Sequence, residues 1–401
     1  MRELILNRLE RIKGDFLTFL SDIVSIPSYS GEEKEVVDRI KREMENAGFD
    51  EVFVDDFGNV IGRIGNGEKV IAIDGHIDVV GPGDLSLWEF DPFKPFLKDG
   101  KLFGRGSADQ KGGFASALYG VIIAKELGLI GEDLSIYVVG SVMEEDCDGL
   151  CWKYILENDV IKPEMVFLTE PTSLRINRGQ KGRMEIKVSV SGLSAHGSAP
   201  ERGDNAIYKM ASILLELRDL NDRLASDPFL GKGTLTVSQI FFESPSQCSV
   251  PDKCWITIDR RLTIGETKES ALKEVASLPS CVKHSAIVEL YRYEKPTYKG
   301  TVYPTDKYYP VWVVDEEDLP VKIAVRAYRC VFQEEPVIGK WTFSTNGVSI
   351  CGEHGIPCVG FGPGNEEQAH APNEYVPLDH LFKAVSFYAC LPHFLSGGEE
   401  Q

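Results

Sequence analysis

The chain has 401 residues, 43% hydrophobic and 26% charged, with a formal net charge of −19. That length exceeds one ordinary hydrophobic core, so two domains are expected. The negative charge argues against nucleic acid or an anionic membrane as partner, because a phosphate surface would be repelled.

No apolar run approaches the roughly 18 residues that a membrane-spanning helix needs. The opening MRELILNRLERIKGDFLTFLSDIV carries charges throughout and does not read as a secretory signal. Nine cysteines, scattered from Cys147 to Cys390, suit reduced thiols and a cytoplasmic location better than a disulfide framework.

Leu4, Ile5, Leu9, Ile12, Phe16, Phe19, Leu20 and Ile23 recur at helical spacing and predict a first helix that Pro27 ends. Ser30-Gly31-Glu32-Glu33 reads as a capping box starting a second helix over about 31–47. The short runs EVFVDD, NVIGRI and KVIAIDGH read as strands. A helix over 112–127, a buried strand over 134–142, a helix near 149–158 and the strand EMVFLTE follow. Strands alternating with helices imply an α/β sheet covered on both faces.

After Gly179 the pattern changes. Residues 182–191 alternate like a half-exposed strand, followed by a helix over 204–224 and the strands TLTVSQIFF and CWITIDRRL. A helix near 267–278 and the strand AIVELYRY complete a βαββαβ order, the ferredoxin-like plan. From about residue 297 the α/β character returns, with a helix near 316–333, the strand VIGKWTF and the apolar GIPCVGFG. The expected fold is therefore one discontinuous α/β domain, 1–180 and 297–401, with a mixed, mostly parallel sheet. A ferredoxin-like module of 181–296 is inserted into it.

Candidate metal ligands stand where predicted strands end, the place where loops of open α/β sheets converge. They are His76 in IAIDGHIDVV, Asp109 in GRGSADQKGG, Glu144 and Glu145 in VVGSVMEEDCDG, Glu170 in MVFLTEPT, and His370 in GFGPGNEEQAHAPNE. Four carboxylates and two imidazoles suit two divalent cations sharing one carboxylate, with one acid left to handle protons.

Each element alone has a plainer reading. His76-x-Asp78 could be a polar turn, Asp109 a helix N-cap, and the Glu pair a solvated strand end. Asp78 is better placed to fix the His76 tautomer than to bind metal. On extended backbone Glu144 and Glu145 would point opposite ways, giving them different roles. The Gly360–Gly364 run lacks the Lys-Ser/Thr of a phosphate loop. His284, His354, His380 and His393 have no ligand-like company.

The blocks DGHIDVV, GRGSADQKGG, MEEDCDG, TEP, SGLSAHGS and GPGNEEQAHAPNE, in this order over nearly the whole chain, resemble the M20 metallopeptidase family. That family includes acetylornithine deacetylases, succinyl-diaminopimelate desuccinylases, glutamate carboxypeptidases and aminoacylases. Phrases such as EEDCDGLCW and KWTFSTNGVSI are most similar to a branch labelled a selenium-metabolism-linked hydrolase.

The resemblance implies that His76 and Glu170 complete one metal site, and Glu145 and His370 the other. Asp109 would bridge them, Asp78 orient His76, and Glu144 act as general base. It implies zinc, with cobalt or manganese in some members, and a homodimer formed through the inserted module, a lid. There His196 of one subunit would stabilise the oxyanion in its neighbour. Arg261, on a strand whose apolar face is Ile256, Ile258 and Leu262, would point into the cleft and hold a substrate carboxylate or pair with a nearby acid. Asn346 matches a position that contacts substrate in some relatives. The expected activity is hydrolysis of an amide or ureido bond in a small N-acyl or N-carbamoyl amino acid. A di- or tripeptidase is the alternative, and a non-catalytic ligand-binding homologue a remote one.

Overall fold

A computed structural model describes residues 1–398. Its larger sheet has eight strands in the order Glu51–Val54, Val60–Ile64, Leu134–Ser141, Lys69–His76, Met165–Leu168, Cys358–Gly360, Ile176–Asn177, Ile338–Gly339. The central four are parallel neighbours, and antiparallel pairs lie toward the edges. The central strands are near-continuous apolar runs because helices cover both faces.

Helix Arg2–Ser25 contributes Ile5, Leu9, Ile12, Phe16, Phe19, Leu20, Ile23 and Val24 to the core, the expected stripe apart from Leu4, which is exposed. Helix Lys111–Glu126 packs between the sheet and the last helix, Leu378–Leu395, and is buried almost all round.

The second sheet runs Thr234–Glu243, Lys253–Leu262, Gly182–Ser191, Ile287–Leu290, all antiparallel, with Tyr308–Tyr309 also paired to Gly182–Ser191. Helices Ala206–Asn221 and Lys268–Ala276 bury Met210, Ile213, Leu217, Ala271 and Val275 against it. The apolar core falls into two clusters. One draws on residues before 177 and after 292, and the other on residues 184–281. The fold is thus a mixed, mostly parallel α/β sheet with a ferredoxin-like insertion.

Three local expectations fail, each for a physical reason. The helix near 267–278 ends at Ala276, and Pro279 opens a separate short helix, Pro279–Lys283. VIGKWTF is strand only at Ile338–Gly339, because Trp341 turns inward to lie against Gly360 and donates to the Pro171 carbonyl at 3.2 Å.

The capping box does not form: helix Lys34–Asn46 starts after Glu33 with no side-chain cap. Ser30 Oγ instead donates to Asp78 Oδ2 at 2.7 Å, and Glu33 Oε1 accepts from Met143 N at 3.0 Å. Buried partners at strand ends outcompete a local cap, since leaving them unpaired inside the protein costs more than an exposed helix end.

The N-terminus of helix Lys111–Glu126 reaches the sheet only because its first turn carries glycine. A Cβ on Gly113 would overlap the Thr169 carbonyl oxygen and lie 3.0 Å from its carbon. Gly113→Ala should therefore destabilise the protein by about 1–3 kcal/mol, read as a lowered midpoint of thermal unfolding. An unchanged midpoint would contradict this close approach.

Candidate metal centre

Three parallel strands deliver the site. His76 is the last residue of Lys69–His76, Glu170 follows Met165–Leu168 after one residue, and the Glu144-Glu145 pair follows Leu134–Ser141. Asp109 stands just before helix Lys111–Glu126, whose N-cap is Gln110 and not Asp109. His370 has φ +60° and follows the turn Glu366–Gln368.

Asp109 lies between the two imidazoles. Its Oδ1 is 3.0 Å from His76 Nε2, and its Oδ2 is 3.6 Å from His370 Nε2. Glu145 Oε2 is 2.9 Å from His370 Nε2. Glu144 Oε2 and Glu170 Oε1 each lie 3.8 Å from His76 Nε2. Ligand atoms of His76, Asp109 and Glu145 form one group within 4.8 Å of one another, and those of His76, Glu144 and Glu170 form a second. All six expected residues converge on one cavity of about 330 Å³, a size suited to a small molecule.

The charges of this cluster call for a cation. Burial, helped by neighbouring carboxylates, pushes Glu144 and Glu170 well above the usual carboxylate range, and Glu145 to about 7. Burial opposes a charge on His76, yet Glu144, Glu170, Asp109 and Asp78 together raise it well above the ordinary imidazole value. Glu144 Oε1, Glu170 Oε2 and Asp78 Oδ1 are buried without a hydrogen-bond partner. Mixed oxygen and nitrogen donors with free lone pairs fit divalent metal ions such as zinc.

Several residues depart from expectation. The Glu pair is not on extended backbone: Met143 has φ +65°, which turns the chain immediately after the strand. Asp78 meets the His76 ring mainly through its carbonyl oxygen, 3.0 Å from Nδ1, while its carboxylate lies at 3.5 Å. That carboxylate accepts from Ser30 Oγ and from Glu145 N, at 2.7 and 3.1 Å.

Asn346, expected at the substrate, is 1% exposed and does not line the cleft. Its Nδ2 donates to Asp74 Oδ2 and Ser141 Oγ, and its Oδ1 accepts from Gly149 N and Cys151 Sγ. Its hydrogen-bonding capacity is spent inside the protein. Arg261 lines the cleft but bonds Asp259 through Nε and Nη2, at 2.7 and 3.0 Å. His196 is exposed on the second module, its Nδ1 near Ser198, and is absent from this chain's own cleft.

Sequence reasoning missed Glu374 and Arg183. Glu374 is fully buried and accepts from Arg105 Nη1, Gly106 N, Ala108 N and Asp109 N at 2.7–3.1 Å. It thereby ties the Asp109 loop to the His370 loop, and its place four residues after His370 in HAPNE was a usable signal. Arg183 lines the cleft from the second sheet, opposite Arg261 in the strand register.

The sequence compares closely with known proteins along its whole length. It is 54% identical over 390 residues to the protein YgeY of Escherichia coli (strain K12), covering 97% of this chain and 96% of that one. It is 27% identical over 395 residues to the acetylornithine deacetylase of Vibrio campbellii, covering 91% and 94%. Against the succinyl-diaminopimelate desuccinylase of Wolbachia pipientis subsp. Culex pipiens it is 27% identical over 410 residues, covering 94% and 92%.

Among solved structures, aminopeptidase PepT of Bacillus cereus has the same fold, with a TM-score of 0.72 at 21% identity and 99% of each chain covered. The sequence profile of peptidase family M20/M25/M40 matches residues 72–393. This chain is a hydrolase of that family.

Proposed function

We propose that this M20 hydrolase uses two divalent cations to cleave an amide or ureido C–N bond in a small N-acyl or N-carbamoyl amino acid. The observation that carries the reading is Asp109, which turns one carboxylate oxygen to His76 and the other toward His370. In this reading His76 and Glu170 hold one cation, Glu145 and His370 the other, and Asp109 belongs to both. Zinc fits the donors first, with cobalt or manganese as substitutes. Cations held there acidify water and polarise a carbonyl.

The chain's own groups supply the rest. Glu144 keeps a buried, unpartnered oxygen and lines the cleft beside the ligand cluster. Acting as general base, it takes a proton from the attacking water and then delivers it to the leaving nitrogen. The Asp78 carbonyl holds the His76 ring by its other nitrogen. Arg261 receives the substrate carboxylate in place of Asp259, as a planar guanidinium can.

Residues 181–296 serve as a lid and dimerisation module. Its edge strand Thr234–Glu243 exposes Ile240, Phe241 and Phe242 at 55%, 40% and 59%. An open edge with exposed apolar side chains invites pairing with a second copy. The dimer would bring His196 of one subunit to the oxyanion formed in the other.

The full-length sequence relatives named as a deacetylase and a desuccinylase favour the N-acyl amino acid over a peptide. Cys147, Cys151, Cys254, Cys281 and Cys358 are buried thiols outside any disulfide, as suits a reducing cytoplasm.

Two experiments test these roles. Glu144→Ala should keep both zinc equivalents while turnover of an N-acyl or N-carbamoyl amino acid falls by about 10²–10⁴, whereas Glu145→Ala should lose metal. Equal metal loss in both would overturn the assignment. Separately, mixing inactive His196→Ala and Glu144→Ala chains should restore part of the activity, since one cleft of each heterodimer is intact. No recovery would show that His196 does not act across subunits.

A further inference from the structure

Residues 143–149, which carry Glu144 and Glu145, are gripped from two directions. On the side of the large sheet, Met143 N donates to Glu33 Oε1, Glu145 N to Asp78 Oδ2 and Gly149 N to Asn346 Oδ1, at 3.0, 3.1 and 3.0 Å. The other contacts fall on the three residues between. Asp146 Oδ2 accepts from Tyr293 Oη at 3.0 Å and Lys295 Nζ at 2.7 Å. Cys147 Sγ accepts from Tyr309 Oη at 3.4 Å. Both oxygens of Asp148 accept from Arg183 Nη1 at 3.2 Å.

Arg183 and Tyr309 are register partners in the second sheet, and the guanidinium carbon lies 5.3 Å from the centre of the Tyr309 ring. The second sheet therefore holds the loop at two consecutive residues, Cys147 and Asp148, which begin two positions after Glu145.

Arg183 lines the cleft, which raises the alternative that it binds an anionic part of the substrate. Its bonds argue otherwise. Nη1 is taken by Asp148 and Nη2 by Glu185, the unpartnered Nε is itself buried, and the Asp148 side chain is only 6% exposed. A carboxylate so buried needs its partner where it is.

We propose that Arg183 is a positioning residue for the metal-binding turn: its ion pair with Asp148 makes the placement of Glu145 depend on the second sheet. This rests on the reading of Glu145 as a metal ligand.

Zinc calorimetry on the metal-stripped full chain tests it without any substrate. Arg183→Gln and Asp148→Asn should each weaken one of two zinc equivalents by about 10–100-fold. The double variant should be no worse than either single, because both break the same link. Arg183→Lys should bind within a few-fold of the unaltered chain, since one nitrogen makes both bonds to Asp148. The cobalt absorption spectrum should change in the same variants.

A through-space charge effect moves the singles in opposite directions, because removing the Arg183 cation favours metal binding. Unchanged or tighter zinc binding in Arg183→Gln, or additive losses in the double variant, would overturn the proposal. Glu145→Ala must lose the same equivalent. If it keeps both, the ligand assignment itself fails and the positioning role falls with it.

Discussion

Carboxylates repel one another most where water cannot screen them, and two strand ends of the larger sheet and the start of helix Lys111–Glu126 bring four into one buried cluster. At about 4 Å and the effective dielectric of a protein, each like-charged pair costs roughly 4 kcal/mol. A few such pairs rival the roughly 5–15 kcal/mol by which a domain is stable. Asp109, Glu144, Glu145 and Glu170 therefore cannot all be ionised there unless positive charge sits among them. Two imidazoles supply part of it. Burial first, and the neighbouring carboxylates after it, raise the proton affinities of Glu144, Glu145 and Glu170, and divalent cations would offset that.

Much of the surrounding structure keeps these acids in place against that repulsion. Glu374 gathers three backbone N–H groups of the Asp109 loop and the Arg105 guanidinium. Asp78 reaches the His76 ring, Ser30 and the Glu145 main chain at once. Gly113 lets the helix after Asp109 touch the strand end before Glu170. The ligands come from separated parts of the sequence, so the site exists only when the parallel sheet is complete. The second sheet adds a grip of its own through Arg183 and Tyr309, and Arg183 gives residues 181–296 a physical connection to the turn that carries Glu145.

The sequence revealed what depends on periodicity and on position relative to strands. The stripe from Ile5 to Ile23, the alternation of 182–191 and the positions of His76, Glu144, Glu145 and Glu170 at or just after strand ends were legible, because burial imposes those patterns locally. What escaped depends on partners far away in the chain. Ser30 and Glu33 look like a cap until Asp78 and Met143 arrive. Glu144 and Glu145 look extended until the φ of Met143 turns the chain. Asn346 was expected at the substrate from the family resemblance alone, but Asp74, Ser141 and Gly149 claim it. Arg183 carried no signal beyond alternation on its strand, since its partner Asp148 belongs to the other unit.

The central claim is that one carboxylate is shared by two cations. Anomalous diffraction from crystals grown with zinc tests it most directly. Two peaks about 3.5–4 Å apart should flank Asp109, one beside His76 and Glu170 and the other beside Glu145 and His370. A single peak, or zinc bound away from Asp109, would contradict the account.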